Sequence, residues 1–295
     1  MTPDGYCGQC GMKQPARTDH LETDLGTAAA VSDRGHRHQR NEDAYELATR
    51  GEVTVAVVCD GVSHSSVPDQ ASAAAASAAF EALEPAFGVA IDAPGRAALL
   101  QAAVARAQEA VAQLVVPDDP QPPATTVVAA IVAPGSVTAA SVGDSRAYWL
   151  GTSEQGGQAL TVDDSAAEEA IAAGMSVNDA YATPEAHTIT GWLGADAGEV
   201  SPNLITAAIP YPGLVLLCSD GLWNHYLEAA QLIGLVEGCE DRTPIAIARR
   251  MVVAALDAGG EDNITVAVVN ATGPKPAPPT IEPEEESFAD ADVHA

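Results

Sequence analysis

At 295 residues and 47% hydrophobic, the chain carries enough apolar material for one large core or two modest ones. Its formal charge of -28, from 41 acids against 13 bases, would repel a phosphate backbone and argues against a nucleic-acid partner. No apolar run approaches the roughly 18 residues of a membrane span, and the N-terminal MTPDGYCGQC lacks the basic-then-apolar order of a signal peptide, so a soluble, cytoplasmic protein with no membrane partner is expected.

Residues 1–22 hold Cys7-Gly-Gln-Cys10-Gly and little apolar sequence, which reads as a short appendage. The body follows over 23–270. Its strand-like runs at 53–59, 125–132, 137–142, 214–218 and 264–269 are bounded by Gly, Pro, Asp and Ser. Ala-rich helical stretches lie between them at 68–83, 94–115, 165–173, 227–237 and 244–256. Pro68, Pro94 and Pro244 each stand where a first helical turn tolerates the missing N–H. Strands group and helices pair instead of alternating, which predicts an α+β class: a central antiparallel β-sandwich flanked by helices. Residues 271–295 are Pro-rich and acidic, the composition of a disordered tail.

Three times an apolar strand meets an aspartate beside Gly or Asn: VTVAVVC before Asp60-Gly61, LVLLCS before Asp220-Gly221, and Asp262-Asn263 before ITVAVV. One Asp-Gly pair is ordinary turn chemistry. Three, together with Glu42, Asp43 and Asp144, suggest carboxylates held at the ends of rigid strands for a hard cation that needs several oxygens in fixed geometry. With no Lys or His foreseen beside them, the acids are better explained by metal than by salt bridges.

From Ser32 to Val269 the ordered series SDRG, NEDA, VCDG, TT before a strand, GDSRAYWL, LTVDDS, WLG, CSDGLWN and GGEDNITVAVV resembles the metal-dependent serine/threonine phosphatases of type 2C, in a bacterial form. The resemblance implies an α-β-β-α sandwich with two or more Mn(II) or Mg(II) ions in a cleft at one end of the sheets. It makes Asp60 the bridging carboxylate, adds the Gly61 carbonyl, and completes the pair with Asp220 and Asp262. Glu42 and Asp43 are implied in water-mediated or supporting roles, and Asp144 at a third, weaker ion. Asp60 and Asp220 then act catalytically through a metal-activated water that attacks phosphorus in line. Phosphoproteins become the substrates, and a serine/threonine kinase the opposing partner.

The chain departs from that pattern in three places. Val62 stands where eukaryotic members place a His after Asp-Gly, with His64 as a possible substitute. Ser63-His64-Ser65-Ser66 replaces the usual Gly-Gly, and His38 takes the place of the phosphate-binding Arg. Arg40 or Arg37 is therefore expected to grip phosphate with His38 beside it, because a planar guanidinium holds two oxygens at once. If 34–40 is extended, Arg34, His38 and Arg40 share one face and Arg37 the other. The departures leave two further classes open, a catalytically weak phosphoprotein-binding module and a small-molecule phosphoesterase.

The stretch 163–194 is similar to the flap that bacterial members carry beside the cleft, or else is an ordinary surface helix-loop. Cys7 and Cys10 resemble one knuckle of a zinc ribbon, but a closed site needs four ligands and His20 is the lone further candidate, so an intact intrachain zinc is not expected. The three Trp read as packing, and the scattered cysteines as reduced thiols.

Overall fold

The computed structural model describes residues 9, 16–88, 91–115 and 117–273. Cys7, Cys10 and nearly all of the expected tail lie outside them. In chain order the elements are β1 (His20–Asp24), β2 (Ala28–Asp33), β3 (Asp43–Arg50), β4 (Val53–Asp60), α1 (Pro68–Leu83), α2 (Ala93–Ala112), β5 (Ala124–Thr125), β6 (Val127–Ala133), β7 (Ser136–Val142), β8 (Arg146–Leu150), β9 (Gly157–Ala159), α3 (Ala166–Ala172), α4 (Val177–Tyr181), β10 (Leu193–Gly194), β11 (Asn203–Ala208), β12 (Gly213–Cys218), α5 (Asp220–Trp223), α6 (Ala229–Glu237), α7 (Pro244–Asp257) and β13 (Ile264–Ala271).

Two antiparallel sheets face each other. One runs β1-β2-β13-β12-β8-β9 and the other β11-β7-β6-β4-β3, with β10 and β5 as a small separate pair. The period of two along each strand explains the layering. In β4, Val55, Val57 and Cys59 pack on α1 and α2, while Ala56 and Val58 point at the opposite sheet. In β12, Leu216 and Cys218 meet the α6 and α7 side, while Val215 and Leu217 fill the space between the sheets. Both faces of both sheets are thus covered, giving the expected α-β-β-α sandwich. Cys59 and Cys218 are free, buried thiols.

Two expectations change at this level. The sheet begins at His20, inside the span read as an appendage: β1 pairs with β2, and Glu22 takes two hydrogen bonds from Arg249 Nε and one from Nη2. The 34–40 segment is a turn, not an extended run. Gly35 has φ +72°, and its backbone lies so close to 262 that a Cβ would sit 2.1 Å from the Asp262 carbonyl oxygen, which fixes the reversal.

Candidate metal and phosphate site

The register of the β11-β7-β6-β4-β3 sheet sets Asp43, at the start of β3, opposite Asp60, at the end of β4. In the six-stranded sheet β12 and β13 are antiparallel, so the end of one and the beginning of the other share an edge, which brings Asp220 beside Asn263 and Asp262. Gly221 permits that approach, since a Cβ there would fall 2.0 Å from the Asn263 carbonyl oxygen. Ser219 Oγ donates to Asp43 Oδ2 at 2.8 Å and ties the sheets together across the cleft. Asp144 follows β7, and its backbone carbonyl accepts the Trp223 indole N–H at 2.8 Å.

Asp43, Asp60, Asp144 and Asp220 are carboxyls withdrawn from water beside one another. Burial, then repulsion from Asp262 and Asp220, pushes Asp43 up to about 7 against hydrogen bonds that favour its charge. Burial and Asp262 do the same to Asp220, also to about 7. Asp60 is raised well above the usual carboxylate range by burial, then by Asp43, Asp220, Asp262 and Asp144, and Asp144 by burial and Asp220. Asp43 Oδ1 and Asp220 Oδ1 are buried with no hydrogen-bond partner. Hard oxygen donors, mutual repulsion and orphaned buried oxygens fit a divalent cation. The acids stand at neighbouring strand ends without closing on one point: among the described residues no three His, Cys, Asp or Glu side chains are gathered as a ready ligand set.

Asp262 is more open, with 39% of its side chain exposed, and lies 3.0 Å from His38 Nε2. Glu42 is buried and occupied: Oε1 accepts from Arg40 Nε at 3.0 Å and Oε2 from Ser63 Oγ at 2.8 Å, with His38 Nδ1 at 3.7 Å. The expectation that these acids stand apart from any His is therefore corrected, since His38 bridges two of them. Arg40 also reaches Asp69 Oδ1 at 3.3 Å, and Arg37 Nη2 lies 2.5 Å from Glu261 Oε1. Because 34–40 turns, the alternation expected of it is lost: Arg37, His38 and Arg40 all line one open cleft of about 780 Å³ with Glu42 and Ser63. Arg34 instead turns back to the His38 carbonyl and Asp19.

Sequence reasoning missed the residues that hold these acids. Asn263 Oδ1 accepts the Glu42 N–H at 2.7 Å, and its Nδ2 donates to the carbonyls of Arg34 at 2.7 Å and Arg40 at 3.2 Å. Its only signal was an amide between a carboxylate and a strand. Ser219, Asn41 and Asn224 serve similarly: Asn41 Nδ2 donates to Ser32 Oγ, and Asn224 Nδ2 to Asp220 Oδ2. His20 bonds Asp33 Oδ2 at 2.7 Å and Glu22 Oε1 at 3.1 Å.

The 163–194 stretch folds α3 and α4 around Ala167, Ala180 and Ala186. It meets the body at Arg146, a buried guanidinium stacked 3.7 Å above the Trp223 ring, forked onto Asp163, and donating to Tyr181 Oη at 3.1 Å. The His187 ring packs 5.8 Å from Trp223. Trp149 and Trp223 are buried as expected, whereas Trp192 is half-exposed.

Comparison with known proteins adds to this geometry. The family model described as Protein phosphatase 2C matches residues 33–238. The serine/threonine phosphatase stp of Listeria innocua is 34% identical over 148 residues, 49% of this chain and 56% of that protein. The chain spans about half the length of the curated relatives it matches. Among solved structures, the PPM Ser-Thr phosphatase MsPP from Mycobacterium smegmatis, in complex with cacodylate, is similar at 27% identity and TM-score 0.67, covering 84% of this chain and all of that one. The catalytic domain of the phosphatase PstP, in complex with two manganese ions, shares the fold at 24% identity and TM-score 0.63, over 86% of this chain and 99% of that one. With the match covering strands of both sheets and reaching Asp43, Asp60, Asp144 and Asp220, the chain belongs to the protein phosphatase 2C family.

Proposed function

We propose that this protein hydrolyses phosphoserine and phosphothreonine on other proteins with divalent cations, Mn(II) or Mg(II), held by its acidic cleft. The observation that carries the reading is the set of buried carboxylates contributed by both sheets, two of them with orphaned oxygens. Asp60, Asp220 and Asp262 would hold the cations with the Gly61 carbonyl, Asp43 and Asp144 would support them, and Glu42 would act from behind Arg40 and Ser63. A cation pair supplies Lewis-acid polarisation of phosphate and an activated water. The relative solved with two manganese ions supports that choice of metal.

The chain's own part is positioning. Arg40 and Arg37 present guanidinium donors to the open cleft beside the acids, where a phosphate dianion must be gripped locally against an acidic surface. His38 lies between Asp262, 3.0 Å from Nε2, and Glu42, 3.7 Å from Nδ1, so its ring would orient Asp262 and leave the longer Nδ1 side to turn toward a phosphoryl oxygen. Val62 offers no proton, and His64, the named substitute, lines the neighbouring hollow beside it. A serine/threonine kinase must supply the phosphorylated substrate.

The test is manganese-dependent phosphate release from phosphothreonine and phosphotyrosine peptides of one sequence, with Arg37→Ala, His38→Ala and Arg40→Ala compared at fixed manganese. The reading expects release from phosphothreonine and a loss at subsaturating peptide in an Arg variant with unchanged metal affinity. Activity that survives exhaustive chelation refutes it.

A further inference from the structure

Beside the metal cleft, across the 62–66 loop from Arg40, lies a second hollow of about 240 Å³ that the proposed chemistry leaves unused. Val62, Pro120, Pro122, Ala124, Ile189 and Trp192 give it apolar wall, and His64, Ser65, Gln121 and Asp196 are the polar residues that line it. A partly exposed indole and two prolines lining one hollow leave apolar area in water, which costs free energy that a partner would recover.

The walls are fixed relative to one another and to the metal cleft. Val62 N donates to the Ala124 carbonyl at 2.9 Å and Ser66 N to the Gln121 carbonyl at 2.9 Å, which joins the loop to the proline segment. β10, next to Trp192, pairs with β5, and Gln108 brackets Gly194 with two 2.8 Å hydrogen bonds. Trp192 Nε1 donates to Asp196 Oδ1 at 2.9 Å, which sets the plane of the ring. The same β5 strand reaches the cleft: Thr125 Oγ1 donates to the Asp60 carbonyl at 2.7 Å, and Thr126 N to the same oxygen at 2.8 Å.

We propose that this hollow is a specificity pocket for a proline or aromatic side chain flanking the phosphorylated residue of the substrate; the inference rests on the phosphatase reading above. Val62 stands two residues beyond Asp60, about 7 Å along an extended chain. A side chain seated against it therefore belongs to a residue one or two positions from the phosphoryl group. Flat walls of Trp and Pro favour a ring that stacks over a flexible aliphatic chain, which would lose rotamer freedom on entry.

A phosphothreonine peptide panel placing Pro, Phe or Gly at each of the two positions on either side tests this, read as kcat/KM at saturating manganese beside para-nitrophenyl phosphate. At one of these positions, ring-bearing peptides should exceed their glycine counterparts by about three- to tenfold, the size of one aromatic stacking contact. Trp192→Ala should bring that ratio to near one. Ile189→Asp charges the facing wall without altering Trp192 and should do the same, so the conclusion does not depend on one variant folding. Equal kcat/KM for ring and glycine peptides in the wild type, or a ratio unchanged in both variants, overturns the pocket while leaving the phosphatase reading intact. Absence of manganese-dependent hydrolysis of every substrate, para-nitrophenyl phosphate included, overturns both.

Discussion

Asp220→Asn separates a carboxylate kept for a cation from one kept for the fold. Asp220 is partly buried, its enclosed Oδ1 has no partner, and desolvation with the Asp262 charge raises it from 3.8 to about 7. At about 1.4 kcal/mol per pKa unit that shift corresponds to about 4 kcal/mol. Water entry and side-chain relaxation would leave on the order of 2 kcal/mol of native-state destabilisation when the carboxylate is ionised without a counter-ion. Asparagine keeps the volume and can still accept the Asn224 hydrogen bond. In chelator at pH 7.5 the variant should melt higher than wild type by roughly 4–8 °C, at 2–4 °C per kcal/mol for a domain of this size. Manganese should reverse the order: at 100 times its Kd the wild type gains about 2.7 kcal/mol, and the variant much less. Differential scanning fluorimetry with and without manganese reads both numbers. A variant that melts lower in chelator, with the full manganese gain, would show that Asp220 is a structural residue and that the reasoning from repulsion is wrong.

The raised Asp43 and Asp220 carboxyls also set a pH dependence for the metal-free protein. Their folded values lie near 7, above unfolded values near 4, so the stability they carry is fullest below about pH 4 and is lost as pH rises through 7. Melting in chelator between pH 5 and 8 should show this fall, and saturating manganese should flatten it. Asp60→Asn should abolish manganese-dependent turnover while circular dichroism stays unchanged. Arg146→Met leaves Asp163 buried without its fork and should cost about 3–5 kcal/mol, measured by urea unfolding. Asp163→Asn in the same background should recover part of the loss.

The strands that sequence showed plainly are those covered on both faces: β4, β6, β12 and β13 are nearly continuous apolar runs. Those it hid had mixed surroundings. DAYELATR in β3 is only half-buried, β11 is an edge strand exposed along most of its length, and β2 is Ala-rich and lacks a β-branched run although every residue to Ser32 is buried between β1 and β13. The acids were legible because Asp beside Gly or Asn at a strand end recurs. The supporting amides and hydroxyls of Asn263, Ser219 and Ser63 were not, because a single polar residue has no period to reveal which distant backbone it holds. The Arg segment was misjudged in shape because its turn depends on Gly35 fitting against Asp262, a contact across the chain.

The link between Ser219 and Asp43 spans 176 positions, and β2 finds its inner neighbour only in β13, the last strand. During synthesis the first half of the molecule can complete α1 and α2 on their sheet, yet it presents Asp43 and Asp60 without their counterparts. Contacts this remote in sequence form late, after the entropy of closing long loops has been met. Acquisition of a tightly held ion by the nascent protein would then coincide with arrival of the C-terminal strand. On the proposed reading, a chain stalled before it would bind ions only loosely, and hydrolysis would not precede the finished sandwich.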